Sequence, residues 1–260
     1  MAITRTTLLN AAFGFALAAA LAAPAHAQTG DRAAFLAGTV KDCPGCDLKG
    51  AKLKRRDLAG ADLRGADLSD SVLHRANLAG ANLDGAQLAG ANMNLADLRR
   101  ASMKKADLTS ALLFEADLSA ADLSDATLVG ARMGRARLVR AVADRARLEN
   151  ANAVEVRAAD ARFRDATILA VNFTKSDFQR ADLTGAKVDG SAFVQCKMGE
   201  ADFTGASAIQ VDFMASDLTA AVMNGADFRG SRLERAKITD TKREGLKLSG
   251  AILPDGTEAP

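Results

Sequence analysis

The sequence predicts an all-β solenoid that turns once every five residues, and three observations predict it. A pentapeptide register opens at Cys46 and holds to Asp255 without insertion or deletion, giving 42 consecutive units. The third residue of the unit is Leu in 22 of the 42, Phe in seven and Met in five, while the first is Ala in 29 and Ser or Cys in seven more. Trp and Tyr are absent, and a conventional globular core recruits large aromatics, so the interior is narrow and regular. A period of five matches neither the helical period of about 3.6 nor the strand period of about 2. On an α-helix the same Leu residues would be smeared around the whole circumference.

Residues 1–27 read as a cleavable export signal, with a retained membrane anchor as the competing reading. Arg5 supplies a small positive region, Leu8 to Ala23 form an apolar run, and Ala25-His26-Ala27 before Gln28 is an A-x-A cleavage site. The chain left after cleavage is expected in the periplasm or outside the cell, with no membrane span, since no second apolar run of spanning length follows. It carries 33 basic against 32 acidic residues, and this balance gives no footing for a nucleic-acid partner. Residues 28–45 form an amino-terminal cap segment. Asp31 to Val40 is expected to be a short helix with Phe35 and Leu36 available to cover the first coil, because an open coil exposes unpaired backbone.

From 46 to 255 the units are plain to see: Ala61-Asp62-Leu63-Arg64-Gly65, Ala66-Asp67-Leu68-Ser69-Asp70, Ala76-Asn77-Leu78-Ala79-Gly80. A chain that turns once per unit points residues three and one inward and the rest outward. Four turns of about 90° close a coil of 20 residues, and stacked coils pair their backbones at the usual strand spacing of about 4.8 Å. The large third residue fills the axis. The first residue, at a crowded corner, is expected to be only Ala, Ser or Cys. Gly is frequent at the fifth, where the turn favours a permissive backbone. Residues 256–260 remain as a polar carboxy-terminal tail after Pro254 stops the pairing.

These A-[DN]-L-x-x units resemble the pentapeptide repeat family. The resemblance covers essentially all of the chain after residue 45, and it implies a right-handed quadrilateral β-helix of about ten coils, preceded here by a short capping helix. Cys43-Pro44-Gly45-Cys46-Asp47-Leu48 resembles the family's lead-in, and Leu253 to Thr257 a frequent terminal phrase. Some members of the family resemble B-form DNA in charge and protect topoisomerases. That alternative needs a strongly acidic surface and a dimer, whereas this chain is balanced and carries no helical dimerisation segment after its last unit.

Along the rod the inward column changes from Leu and Met to Phe, with Ala143, Ala153 and Ala158 between; Ala and Phe of neighbouring coils are expected to compensate in volume. Arg56 and Arg243 fall on inward phases near the two ends without an evident reason. Arg132, Arg135, Arg137, Arg140, Arg145 and Arg147 crowd the middle of the sequence with Asp and Glu among them. They read either as a solvated, ion-paired face or as a binding belt for a partner protein or an acidic envelope component.

Catalytic and metal chemistry find little material. Cys43 and Cys46 both fall on inward phases, and in an oxidising compartment a local disulfide is feasible; the redox reading of C-x-x-C needs a helix amino terminus on a βαβ scaffold. Cys196 lies about 7.6 coils from Cys43, roughly 37 Å at the strand spacing, too far to share a metal site. His74 is the one histidine after residue 27, so triads and general-base pairs have nothing to build on. The second-phase Asp residues form a ladder suited to turn chemistry. No cofactor is expected, and the reading is a non-catalytic structural or protein-interaction scaffold.

Overall fold

The computed structural model describes residues 31–260, so the export segment read over residues 1–27 and the first residues of the cap segment lie outside the described residues. Every parallel bridge joins a residue to the one 20 positions later, from Asp47 with Asp67 to Arg232 with Ile252. The coil therefore has four sides, each centred on a column of second-phase residues. The first side runs from Asp47, the second from Lys52, the third from Asp57 and the fourth from Asp62. Backbone groups are used up between coils: Leu63 N–H donates to Asn82 O at 2.7 Å, Gly65 N–H to Asp84 O at 2.9 Å, and Asp67 N–H to Cys46 O at 2.9 Å. At a spacing of about 4.8 Å, the stack of about ten coils is roughly 50 Å long.

The phases fall where side-chain size requires. Leu78 and Phe178, on the axis, have no exposed surface. Most corners close with an N–H···O=C bond from the first residue of one unit to the third of the unit before, as in Ala61 to Leu58 at 3.1 Å. The fifth residue is left-handed, as turns of the type II class require. Gly60 adopts φ 68° there without strain, but so do Leu95 at 60° and Ala120 at 57°. The ladder bonds on both flanks hold these non-glycine residues in a conformation that costs each roughly 1 kcal/mol.

The turn amide of the fourth residue takes its acceptor from one of two places. Where the second residue is Asp or Asn, its side chain often accepts within the unit, as Asp67 does from Ser69 N–H at 2.9 Å and Asn77 from Ala79 N–H at 3.2 Å. Where the second residue is Leu112, Arg162 or Ser207, the acceptor comes from the coil before. Asn94 takes Phe114 N–H at 2.8 Å, Asp144 takes Arg164 N–H at 3.2 Å, and Asp189 takes Ile209 N–H at 2.8 Å. Turn chemistry is thus what many of these acids do.

In the middle of the rod Ala143, Ala153 and Ala158 share columns with Phe163, Phe173 and Phe178 one coil later. The rings then interlock: Phe173 meets Phe178 edge-on at 4.9 Å between centroids and stacks on Phe193 at 4.9 Å. The corner rule needs correction here. Val156, Val171 and Val211 occupy first-phase corners and are buried, although only Ala, Ser or Cys was expected. At these three corners and at Cys196 the usual closing bond is replaced. Val156 N–H donates to Ser176 Oγ at 3.0 Å, and Ser176 Oγ–H donates to Ala153 O at 3.1 Å. Ser191, Ser216 and Ser231 insert in the same way beside Val171, Cys196 and Val211. At each of these corners a Val or Cys stands below a Ser one coil later, and that hydroxyl carries both halves of the replaced bond; Arg56 and Leu246, which have no Ser above them, still close directly at 3.1 and 3.2 Å.

The two ends also differ from expectation. Helix α1 spans Arg32–Ala37, capped by the Asp31 carboxylate on Ala34 N–H at 2.9 Å and ended by left-handed Gly38. Phe35 is fully buried on the first coil, but Leu36 is 37% exposed and does not join it. Arg56 accounts for its own odd position: it donates to Leu36 O at 3.1 Å and to Phe35 O, and its guanidinium lies 4.9 Å from the Phe35 ring centroid. It fastens the carboxyl end of α1 to the rod. Arg56→Ala is expected to loosen this cap by about 1–2 kcal/mol, read as lost amide-exchange protection at Phe35 to Thr39 with the central coils unchanged. Arg243 faces water on the last coil, where no further coil covers the axis.

At the carboxyl end the free polar tail is not found. Thr257 O accepts from Leu253 N–H at 2.7 Å, and Ala259 pairs with Gly250 and Ala251 at 2.9 and 2.8 Å. The Asp255 carboxylate accepts from Thr257 N–H at 3.0 Å, and Gly256 turns the chain at φ 86°. Pro254-Asp255-Gly256 therefore makes a hairpin that folds the last residues back over the second side.

Candidate interaction surfaces

The coil decides which residues are neighbours, and it scatters the central arginines. Arg132 lies on the second side and Arg135 on the corner after it. Arg137 lies on the third side, Arg140 on its corner, Arg145 on the corner after the fourth, and Arg147 on the first. The six encircle the rod. Four of them are ion-paired: Arg135 with Glu155 at 2.9 Å and Glu115 at 3.5 Å, Arg137 with Asp117 at 3.6 Å, Arg145 with Asp125 at 2.7 Å, and Arg147 with Glu149 at 2.9 Å. Arg132 and Arg140 have no ion pair among the described residues; Asp160, one coil beyond Arg140, is taken by Arg180 at 2.7 Å. Arg137 stands at the rim of two surface grooves. One, of 780 Å³, has mixed charge, with Arg135, Glu155, Arg157, Lys175 and Lys197 along it. The other, of 640 Å³, is lined by Arg99, Arg100 and Arg140 over a floor of Ser119 and Ala120.

Cys43 and Cys46 are buried and joined by a disulfide, with Cα atoms 5.4 Å apart. Cys196 is a buried free thiol, and burial pushes its pKa up to about 12. His74 is half-buried on the second side. Among the described residues no group of three or more His, Cys, Asp or Glu is placed to hold a metal ion, and no helix is long and apolar enough to cross a membrane.

One cluster escaped the linear reading. Lys52, Lys54, Arg55 and Arg75 stand together on the first two coils of the second side, because residues 20 apart are stacked. Writing the sequence in rows of 20 is the signal that finds them.

Side-chain hydrogen bonds from Arg64, Arg99 and Arg229 hold Asp62, Asp97 and Asp227 below the usual carboxylate range, and the Thr219 hydroxyl does so for Asp217. Their folded pKa values lie under the unfolded value of about 3.9, so their stabilising effect is complete above that pH and is lost as pH falls through the folded values. Melting temperature is expected to stay flat from about pH 7 to 5 and to fall only below about pH 4, as a series of thermal melts would show.

The pentapeptide-repeat profile matches in eight copies that together reach from residue 46 to 253, including 46–85, 116–152, 144–185 and 216–253. The chain belongs to the pentapeptide repeat family. Its four-sided coil is the family's quadrilateral β-helix. Among solved structures it is similar to HetL, a pentapeptide repeat protein involved in heterocyst differentiation regulation from the cyanobacterium Nostoc sp. strain PCC 7120. The identity is 27% and the TM-score 0.52, over 86% of this chain and 96% of that one. A plasmid-mediated fluoroquinolone resistance protein, QnrB1, matches at 18% identity and a TM-score of 0.27, over 75% of this chain and 86% of that one. A pentapeptide repeat protein of the Arabidopsis thaliana thylakoid lumen matches at 25% identity and a TM-score of 0.25, over 50% and 74%. No curated protein sequence matches the chain.

Proposed function

We propose that this pentapeptide repeat protein is an exported, non-catalytic scaffold that works through the flat sides of a rigid rod. One observation carries the non-catalytic part of the reading: acidic side chains across the surface are committed to the structure itself. Asp67, Asp182 and Asp217 accept turn amides, and Asp125 and Asp160 are held by Arg145 and Arg180. Groups so engaged hold the fold and do not converge on a substrate. The A-x-A sequence before Gln28 supports export, and the near balance of charge, formally +2, speaks against DNA mimicry.

The test is the amino terminus of the protein isolated from its cells. Mass spectrometry finding a mature chain that begins at Gln28, in the fraction outside the cytoplasm, supports the proposal. An uncleaved cytoplasmic product that inhibits gyrase supercoiling overturns it in favour of the topoisomerase reading.

A further inference from the structure

The second side carries a cationic surface that its own chain does not neutralise. Lys52, Lys54, Arg55 and Arg75 are exposed, and among the described residues their side chains make no hydrogen bond or ion pair. No carboxylate occurs on the outward phases of this side until Glu115, which pairs with Arg135. The nearest acids stand on its borders. Asp57, on the third side, is occupied by Lys41 at 2.7 Å and by Asn77 at 2.9 Å, and Asp70 lies on the preceding corner with its carboxylate toward Gly90.

Two coils further on, the same side turns apolar. Leu95 and Leu112 are half-buried and Phe114 is 43% exposed. The Phe114 ring lies along the surface toward Gly134, where an added Cβ would stand 3.4 Å from it, and under the Arg135 guanidinium at 5.9 Å from its centroid. A groove of 410 Å³ passes Leu112, Phe114 and the unpaired Arg132.

We propose that this side docks the rod onto an anionic lipid surface, with the four basic side chains at the phosphate headgroups and Leu112 and Phe114 in the interfacial layer. A planar side that joins unneutralised Lys and Arg to exposed apolar residues has the composition of a peripheral membrane surface. A nucleic-acid partner would use the charges and leave the Phe and Leu residues without a role. Anionic leaflets face both compartments, so the proposal stands or falls separately from export.

Residues 28–260 contain α1, every coil and the closing hairpin, and they avoid direct insertion of the apolar stretch. In sedimentation with vesicles, this chain is expected to bind phosphatidylglycerol–phosphatidylcholine mixtures and not pure phosphatidylcholine, and to weaken from 50 to 300 mM salt. The variant K52S/K54S/R55S/R75S should lose binding, at about fivefold per charge removed, and Phe114→Ser should weaken it severalfold at constant charge. The control K187S/K197S/K242S/K247S, which removes as many charges from the other three sides, should bind as the parent does. Failure of the folded parent to bind, with circular dichroism unchanged, overturns the proposal. So does an equal loss in the control, or preference for a DNA duplex over vesicles.

Discussion

Phe193→Ala is expected to destabilise the rod by about 3–5 kcal/mol, the range for removing a fully buried aromatic side chain. Phe193 is on the axis and has no exposed surface. Its ring centroid lies 4.9 Å from that of Phe173, 5.4 Å from Phe178 and 5.5 Å from Phe213, in a column where successive rings stack. The void cannot easily close, because the backbone around it is tied from coil to coil. Phe193 N–H donates to Asp212 O at 2.7 Å, and Phe173 N–H to Ala192 O at 2.8 Å. Those bonds fix the spacing that relaxation would have to change. In a solenoid, stability is shared between neighbours, so the loss should also divide the unfolding into two steps. Urea unfolding followed by far-ultraviolet circular dichroism would show the carboxy-terminal coils melting first. A cost under about 1 kcal/mol would mean that the column is not packed as described, since even volume-conserving changes in a core approach that figure.

The period, the inward phases and the four-sided coil were legible because one local rule is repeated at every unit. What lay hidden depends on the coil having closed. Arg132 to Arg147 look like a cluster along the chain, yet they span three quarters of a turn and end on different sides. Lys52, Arg55 and Arg75 look unremarkable along the chain and are neighbours in space. Arg56 could not be read at all, because its partners are backbone carbonyls of α1, and no residue type in the sequence announces them. The tail was misread for another reason. Pro254 was taken as a stop, whereas Pro-Asp-Gly is also a turn, and Asp255 and Gly256 supply the side-chain acceptor and the left-handed residue that the turn needs.

The corner pairs belong to the same hidden class and give the sharpest test of it. Ser216→Ala is expected to cost about 2–3 kcal/mol, since the Cys196 amide and the Phe193 carbonyl both lose a buried partner. The loss comes from a corner held open by the residue in front of it. Cys196→Ala in the same chain should let Cys196's position close directly on Phe193, as Ala61 does on Leu58, and so recover most of the stability. The double-mutant cycle should then show a coupling of about 1–2 kcal/mol between residues 20 apart in sequence. Ser71 provides the opposite case. The Ala51 corner below it is already closed at 3.0 Å, and the Ser71 hydroxyl is buried without a partner among the described residues. Ser71→Ala should therefore be neutral or stabilising by about 1 kcal/mol. If the two serines respond alike, or if the changes at Cys196 and Ser216 simply add, corner size does not govern hydroxyl insertion.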